Sequence, residues 1–415
     1  MKRLIILALT LTVGLSACDV LDLEPKDRVT QFDYFKTAND LELFSNPFYN
    51  NLLDKEPFDE QSDLLVQNTL SAILFGGSHR TVPESGGGWS WTDLRRMNTL
   101  LEYADMCEDK EAVTKYTAVT RFFRAFFYFE KVKRFGDVPW YDIQLGSADE
   151  LLYKPRDSRE LILTKMLEDI DYAINSGGLT ESAADPYHVN KWAALALKAQ
   201  FCLYEGTYRK YHRVDPSTGK AWDPEYNKDN KWLREAADAC EELMEAGVYS
   251  LVNSPADVAT QYRSLFTSPS VLKQEVMWAR EYNDEKNVRH DVTWYFTSGS
   301  MGQGWSLDAD FVYTYLNRDG SRFTDRADYK STTYAEQFEN RDYRLQQTVI
   351  SPEYRKLVGG TSKLFAPDLS VSYTGYQVIK FNIDDDSYEA SGICWNCLPI
   401  LRYAEVLLNY AEAKA

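Results

Sequence analysis

The stretch EAVTKYTAVTRFFRAFFYFEKVKRFGD, residues 111–137, constrains the fold more than any other. Val113, Tyr116, Val119, Phe122, Phe123, Phe126 and Phe127 recur at the spacing of one helix face, and Gly136 supplies a stop. Three further segments read the same way. Residues 157–178 open with Asp157 and Glu160, spaced like a capping box, and carry the stripe Leu161, Met166, Leu167, Ile170 and Ile174 before Gly177 and Gly178. Residues 190–206 are rich in alanine, which lets a neighbouring helix approach closely, and Asn190 and Gly206 punctuate them. Residues 230–247 run from Asn230 to Gly247.

Such helix–turn–helix pairs are the unit of an α-solenoid such as the tetratricopeptide repeat. The starts, near 112, 158, 190 and 230, are unevenly spaced, so any repeat is degenerate. From about residue 250 the texture changes. SGSMGQGW, RDGSRFTDRADYKSTTY and VGGTSKLFAPDLSVSYTGYQ are rich in Gly, Ser, Asp and Tyr, and predict loops packed on a helical platform. Helix returns at PILRYAEVLLNYAEAKA.

The N-terminus is a targeting segment. Lys2 and Arg3 precede the apolar run Leu4 to Leu15, which is too short to span a bilayer as a helix. LSAC, residues 15–18, looks like a bacterial lipobox, which implies cleavage before Cys18 and lipid attachment to it; the other reading is an ordinary signal with a chance cysteine. The acidic DVLDLEPKD that follows reads as a tether ending near Pro25. Loss of Lys2 and Arg3 takes the net charge from −17 to −19, which repels phosphate backbones, and no basic block restores nucleic-acid binding. Aromatic residues reach 14% of the chain, with 28 tyrosines and 10 tryptophans, and suggest ligand faces as well as core. After Cys18 the cysteines are Cys107, Cys202, Cys240, Cys394 and Cys397, an odd set in a large chain and not a disulfide scaffold.

Several stretches resemble one family, the SusD/RagB outer-membrane lipoproteins of the Bacteroidetes. TRFFRAFFYFEKVKRFGDVPW resembles its long helix and Gly-Asp-Val-Pro turn. GWSLDADFVYTYLNRDGSR resembles its Gly-Trp segment, and NRDYRLQQTVISP its Arg-Asp-x-Arg-Leu motif. TGYQVIKFN and ILRYAEVLLNYAEAKA resemble its Lys-Phe segment and Arg-x-Ala-Glu-Val helix. The resemblance implies a mostly α fold: a tetratricopeptide-like helix-turn-helix scaffold with an irregular, loop-rich ligand-binding part. It divides the chain into a lipoprotein signal peptide (1–17), an acidic tether (18–30), an N-terminal helical region (31–250) and a loop-rich C-terminal region (251–415). Members normally continue past the Ala-Glu-Val helix, so a C-terminal portion is expected to be missing here. The resemblance also implies a glycan ligand, sometimes a peptide, a SusC-like TonB-dependent outer-membrane transporter as partner, and membrane attachment through Cys18 with the protein facing the cell surface. The acidic residues after Cys18 resemble the surface-export signal of this phylum.

Glycan binding takes exposed aromatic platforms with carboxylates, amides or Arg at the rim. Trp192, Trp232 and Trp278 sit in helical or strand-like patterns and read as core. Trp89 and Trp91 follow three glycines, and Trp294 and Tyr295 precede the loop ending at Trp305; these are the two regions that supply glycan contacts in the family. Each tryptophan reads equally as a loop anchor, and Trp305 leans that way because it belongs to the shared Gly-Trp motif. Asp63 and Arg80 are candidate polar contacts, or a solvated surface pair.

The CWNC of Cys394 and Cys397 lacks a second pair for zinc and a βαβ setting for redox chemistry; a local disulfide is the favoured expectation. The acidic run 384–386 lacks the EF-hand order, and no metal or other cofactor is expected. HExxH, Walker and GxSxG motifs are missing, and SVLK at 270–273 matches SxxK without its companions. Binding without catalysis is therefore expected. A surface glycoside hydrolase is the alternative from another class, and a scaffold that binds only protein is a third reading.

Overall fold

The computed structural model describes residues 34–54, 62–67, 74, 87–298 and 305–415. Cys18, Arg80, the signal segment and the whole tether region lie outside them. The architecture begins with α1 (Ala38–Ser45), α2 (Thr92–Tyr103) and α3 (Lys110–Phe135). Asp109 caps α3, its carboxylate accepting from the N–H groups of Glu111 and Ala112, and Gly136 ends it at φ +69°. The helices α4 (Arg159–Asn175), α5 (Lys191–Tyr211) and α6 (Lys231–Glu245) follow. Helix α4 packs against α3, and α6 against α5. Asn190 caps α5 through Ala193 N–H.

Two local expectations change. The N-cap of α4 is Ser158, whose hydroxyl accepts from Leu161 N–H; Asp157 accepts instead from Trp140 N–H at 2.7 Å and ties the preceding loop down. Leu161 consequently lies on the exposed side of α4, while Ile162 and Leu163 turn inward. Gly206 does not stop α5, which continues to Tyr211. A Cβ there would overlap the Leu233 side chain, so this glycine permits the close crossing of α6.

Beyond residue 250 the elements shorten: α7 (Gln261–Thr267), α8 (Val292–Thr297), α9 (Ala309–Thr314) and α10 (Tyr343–Thr348). Three two-stranded antiparallel pairs staple the connecting loops. In chain order the strands are β1 (Leu65–Val66), β2 (Val276–Arg280), β3 (Ser306–Leu307), β4 (Arg355–Val358), β5 (Thr361–Leu364) and β6 (Leu398–Arg402). They pair β1 with β3, β2 with β6 and β4 with β5. Helix α11 (Tyr403–Lys414) leaves β6 and returns to the scaffold, packing on α6 and α5.

The main core is helical, and β2 enters it. Trp278, 1% exposed, meets Phe122, Phe123 and Phe126 of α3 edge-on with centroids 5.3, 6.0 and 6.3 Å away. Trp192 and Trp232 are likewise buried. A second core gathers Val292, Phe296, Trp305, Leu307, Val312 and Leu345, and a third joins Leu265, Phe266, Val276 and Cys397. Buried charge is neutralised locally. Asp169 accepts from Arg124 Nε at 2.6 Å and Nη2 at 2.8 Å, and Arg124 Nη1 donates to Asn98 at 3.0 Å. Glu205 similarly sits between Arg159 and Arg209. Among the described residues, no helix is long and apolar enough to cross a membrane.

The expected disulfide is corrected. Cys394 and Cys397 are both free and buried. Their thiols address different partners: Cys394 donates to Tyr388 O at 3.4 Å, and Cys397 to Pro269 O at 3.0 Å from within the third core.

Candidate functional site

The sequence candidates fall into two aromatic groups. The first lies beside the C-terminal turn of α3. Trp89 is 41% exposed and meets Trp91 and Phe135 edge-on at 5.1 and 4.9 Å, with the Arg156 guanidinium 4.9 Å from its centroid. Trp91 is half-buried and wedges against Phe127, Tyr128 and Tyr141. The preceding turn is held by Lys131, which donates to Gly88 O at 2.5 Å. Trp91 therefore anchors the entry to α2, and Trp89 rests on it.

The second group is built by α8 and β3. Trp294 and Tyr295 are adjacent on α8, half-buried, with centroids 5.7 Å apart. Tyr295 stacks on Trp305 at 5.7 Å and 22° between ring planes. Trp305 is buried against Phe296, and its indole N–H donates to Gln67 Oε1 at 2.6 Å. That bond comes from the β1 segment, where Leu65 pairs with Leu307 and Val66 with Ser306. Asp63, exposed, stands two residues before this strand.

The structure thus brings Trp294, Tyr295 and Trp305 together, while Asp63 lies toward the far end of the β1–β3 pair from Trp305. No ring contact among the described residues links that group to Trp89 and Trp91. The sequence reading missed Gln67 and Gln377. Gln377 is buried; its amide donates to Phe296 O at 3.0 Å and its carbonyl accepts from Asp368 N–H at 3.0 Å, fixing the end of α8. Only the placement of Gln377 inside TGYQVIKFN hinted at a role; Gln67 carried no local signal.

This geometry makes an aromatic shelf. A partly exposed indole beside a stacked Tyr–Trp pair offers a flat apolar face. The buried carboxylates Asp169, Glu205 and Glu275 are held by Arg124, by Arg159 and Arg209, and by Arg402. Burial raises the pKa of Glu405, which is bound by Gln200 in the helical scaffold. Among the described residues, no cluster of His, Cys, Asp and Glu is arranged to hold a metal ion.

Comparison with known proteins agrees with this architecture. The SusD family profile matches residues 274–415, and a SusD-like profile described as starch-binding, associating with the outer membrane, matches residues 34–192. The chain belongs to the SusD/RagB family. A SusD-like protein of Formosa agariphila is 20% identical over 317 residues, covering 71% of this chain and 53% of the relative. A second from the same organism is 26% identical over 220 residues, covering 47% of this chain and 40% of that protein. This SusD/RagB chain thus spans about half the length of the curated relatives it matches. Among solved structures, a SusD-like protein of Bacteroides fragilis superposes with a TM-score of 0.69 at 20% identity, covering 94% of this chain and 78% of that one. A SusD-like carbohydrate binding protein from the same species gives a TM-score of 0.68, also at 20% identity, over 92% and 74%. These superpositions establish a SusD-like fold for the helical scaffold and the loop-rich part together.

Proposed function

We propose that this SusD/RagB protein captures oligosaccharides or polysaccharides at the cell surface and passes them to a SusC-like TonB-dependent outer-membrane transporter. The observation that carries the reading is the Trp294 shelf: a partly exposed indole beside Tyr295, which stacks on Trp305, with Gln67 of the β1 segment bonded to the Trp305 indole; exposed Asp63 is kept as a candidate polar contact. The carbohydrate-binding name of a fold neighbour and the starch-binding description of the matched profile support the ligand class. Cys18 is assigned as the lipid attachment site, with residues 18–30 as the tether, 31–250 as the helical region that carries the partner-facing scaffold, and 251–415 as the ligand-binding part. The protein binds without turnover. Trp89, Trp91 and Arg80 are kept as secondary ligand contacts, subordinate to the Trp294 group.

Affinity electrophoresis of the purified protein through gels containing individual polysaccharides, with reducing-end assays on the same mixtures, tests this reading. Retardation by at least one glycan without new reducing ends is expected. Release of reducing ends that one carboxylate substitution abolishes would replace it with a glycosidase.

A further inference from the structure

Three cations converge on the turn that carries Trp89. Lys131 donates to Gly88 O at 2.5 Å. Arg134 lies against the same glycine, and a Cβ added there would stand 3.1 Å from its guanidinium carbon. Arg156 sets its guanidinium over the Trp89 ring, 4.9 Å from the centroid. Arg134 and Arg156 are exposed, and Trp89 is 41% exposed.

Among the described residues, none of the three is paired with a carboxylate, and the carboxylates nearest in sequence are committed elsewhere. Asp93 accepts from Asn51 at 2.8 Å, and Glu130 pairs with Lys133 at 2.6 Å. Asp137 accepts from Arg159 N–H at 3.0 Å, and Asp157 pairs with Lys154 at 2.7 Å. The end of α3 offers carbonyls, and Arg156 reaches Phe135 O and Asp137 O at 3.4 Å. A helix C-terminus carries only about half a negative charge, far short of three cations. Burial and the Arg134 charge lower the pKa of Lys131, so the cluster repels itself. Surplus positive charge is thus held beside an open indole, in a chain whose net charge is −17.

We propose that this surface selects acidic glycans: a sugar bearing a carboxylate or sulfate covers the part of Trp89 that Arg156 leaves open, and Arg134 and Arg156 take its oxyanion. The inference rests on the glycan-capture reading and gives it a substrate class. A guanidinium fork can donate two parallel N–H bonds to an oxyanion, and Lys131 adds charge without needing to touch it. A neutral sugar gains only the indole face, so the cations set the preference.

Calorimetric titration of the full chain tests this with matched polymers: polygalacturonate against its carboxyl-reduced form, and dextran sulfate against dextran. At least one acidic polymer should bind about tenfold or more tightly than its neutral partner, and which one does so separates carboxylate from sulfate recognition. The preference should shrink severalfold when salt is raised to about 0.5 M, a measurement that needs no variant. It should be lost in Arg134→Gln/Arg156→Gln and retained in Lys133→Gln. Acidic polymers that bind no better than their partners, or a preference that survives the double variant, would overturn the proposal. Binding of neutral polymers without acidic preference overturns this inference alone and leaves the Trp294 shelf standing, whereas binding of no polysaccharide removes both.

Discussion

Gln67 and Trp305 are separated by 238 positions in the chain, yet the side-chain carbonyl of one accepts the indole N–H of the other at 2.6 Å. This bond and the β1–β3 pairing clasp the residues 62–67 segment onto the aromatic stack under Trp294. Replacing Gln67 by Leu strands a buried N–H, which costs about 1–3 kcal/mol. Urea denaturation should show that loss, and Gln67→Glu, which keeps an acceptor, should recover most of it. Equal loss in both variants would mean that the clasp depends on packing and not on this bond.

Gly206 should tolerate no side chain. Gly206→Ala drives a methyl into Leu233 at the α5–α6 crossing and is expected to destabilise by about 1–3 kcal/mol. The same substitution in a Leu233→Ala background should cost much less. Additive losses, measured by chemical denaturation as a double-mutant cycle, would contradict the close-crossing account.

Acid should act through His290. It is 3% exposed; its Nε2–H donates to Asn396 O at 3.0 Å, and Nδ1 accepts from Val292 N–H at 3.2 Å. Burial lowers its pKa from 6.5 to about 4, against the pull of Asn396. The folded value is depressed, so between these limits the unfolded chain binds the proton preferentially. Stability present above about pH 6.5 is therefore lost as pH falls toward 4, by about 3 kcal/mol from this group. His290→Asn removes that component while the carboxylates common to both proteins cancel in the comparison. The drop in unfolding free energy between pH 7 and pH 4 should be smaller in the variant, and equal drops would exclude His290 as its source.

The Arg124–Asp169 pair should behave as a buried ion pair. Asp169→Ala leaves a guanidinium without its carboxylate and is expected to cost about 3–5 kcal/mol. Replacing both residues with apolar ones of similar volume should cost much less. Thermal or urea unfolding of the single and double variants checks the contrast.

The helices were legible because their signals are local. The Phe122–Phe127 stripe, Asp109 and Gly136 state where α3 faces and ends, and Asn190 states where α5 begins. Gly206 was misread as a stop because a glycine ending a helix and one beneath a crossing helix look alike in sequence. Ser158 was passed over for Asp157, since either residue type can cap. The CWNC pair suggested a disulfide from spacing alone, but each thiol's partner comes from elsewhere in the chain: Cys397, for example, also lies 3.4 Å from the Tyr187 hydroxyl. The glycan candidates could be named but not grouped. The β1–β3 pairing spans two residues and carries no periodicity, so nothing local announced that the segment holding Asp63 and Gln67 pairs with the strand after Trp305.

The account rests on the Trp294 shelf, and calorimetric titration of three variants with a glycan that retards the wild type tests it most directly. Stacking one sugar face on an indole contributes about 1 kcal/mol, so Trp294→Ala should weaken binding about fivefold to tenfold while the circular dichroism and melting temperature stay near wild type. Trp278→Ala should instead destabilise the fold by about 3–5 kcal/mol. Trp91→Ala should lower stability more than it lowers affinity, as an anchor beside α3 does. Unchanged affinity in Trp294→Ala, with the loss appearing in Trp91→Ala or Trp89→Ala, would contradict the assignment and move the ligand surface to the end of α3.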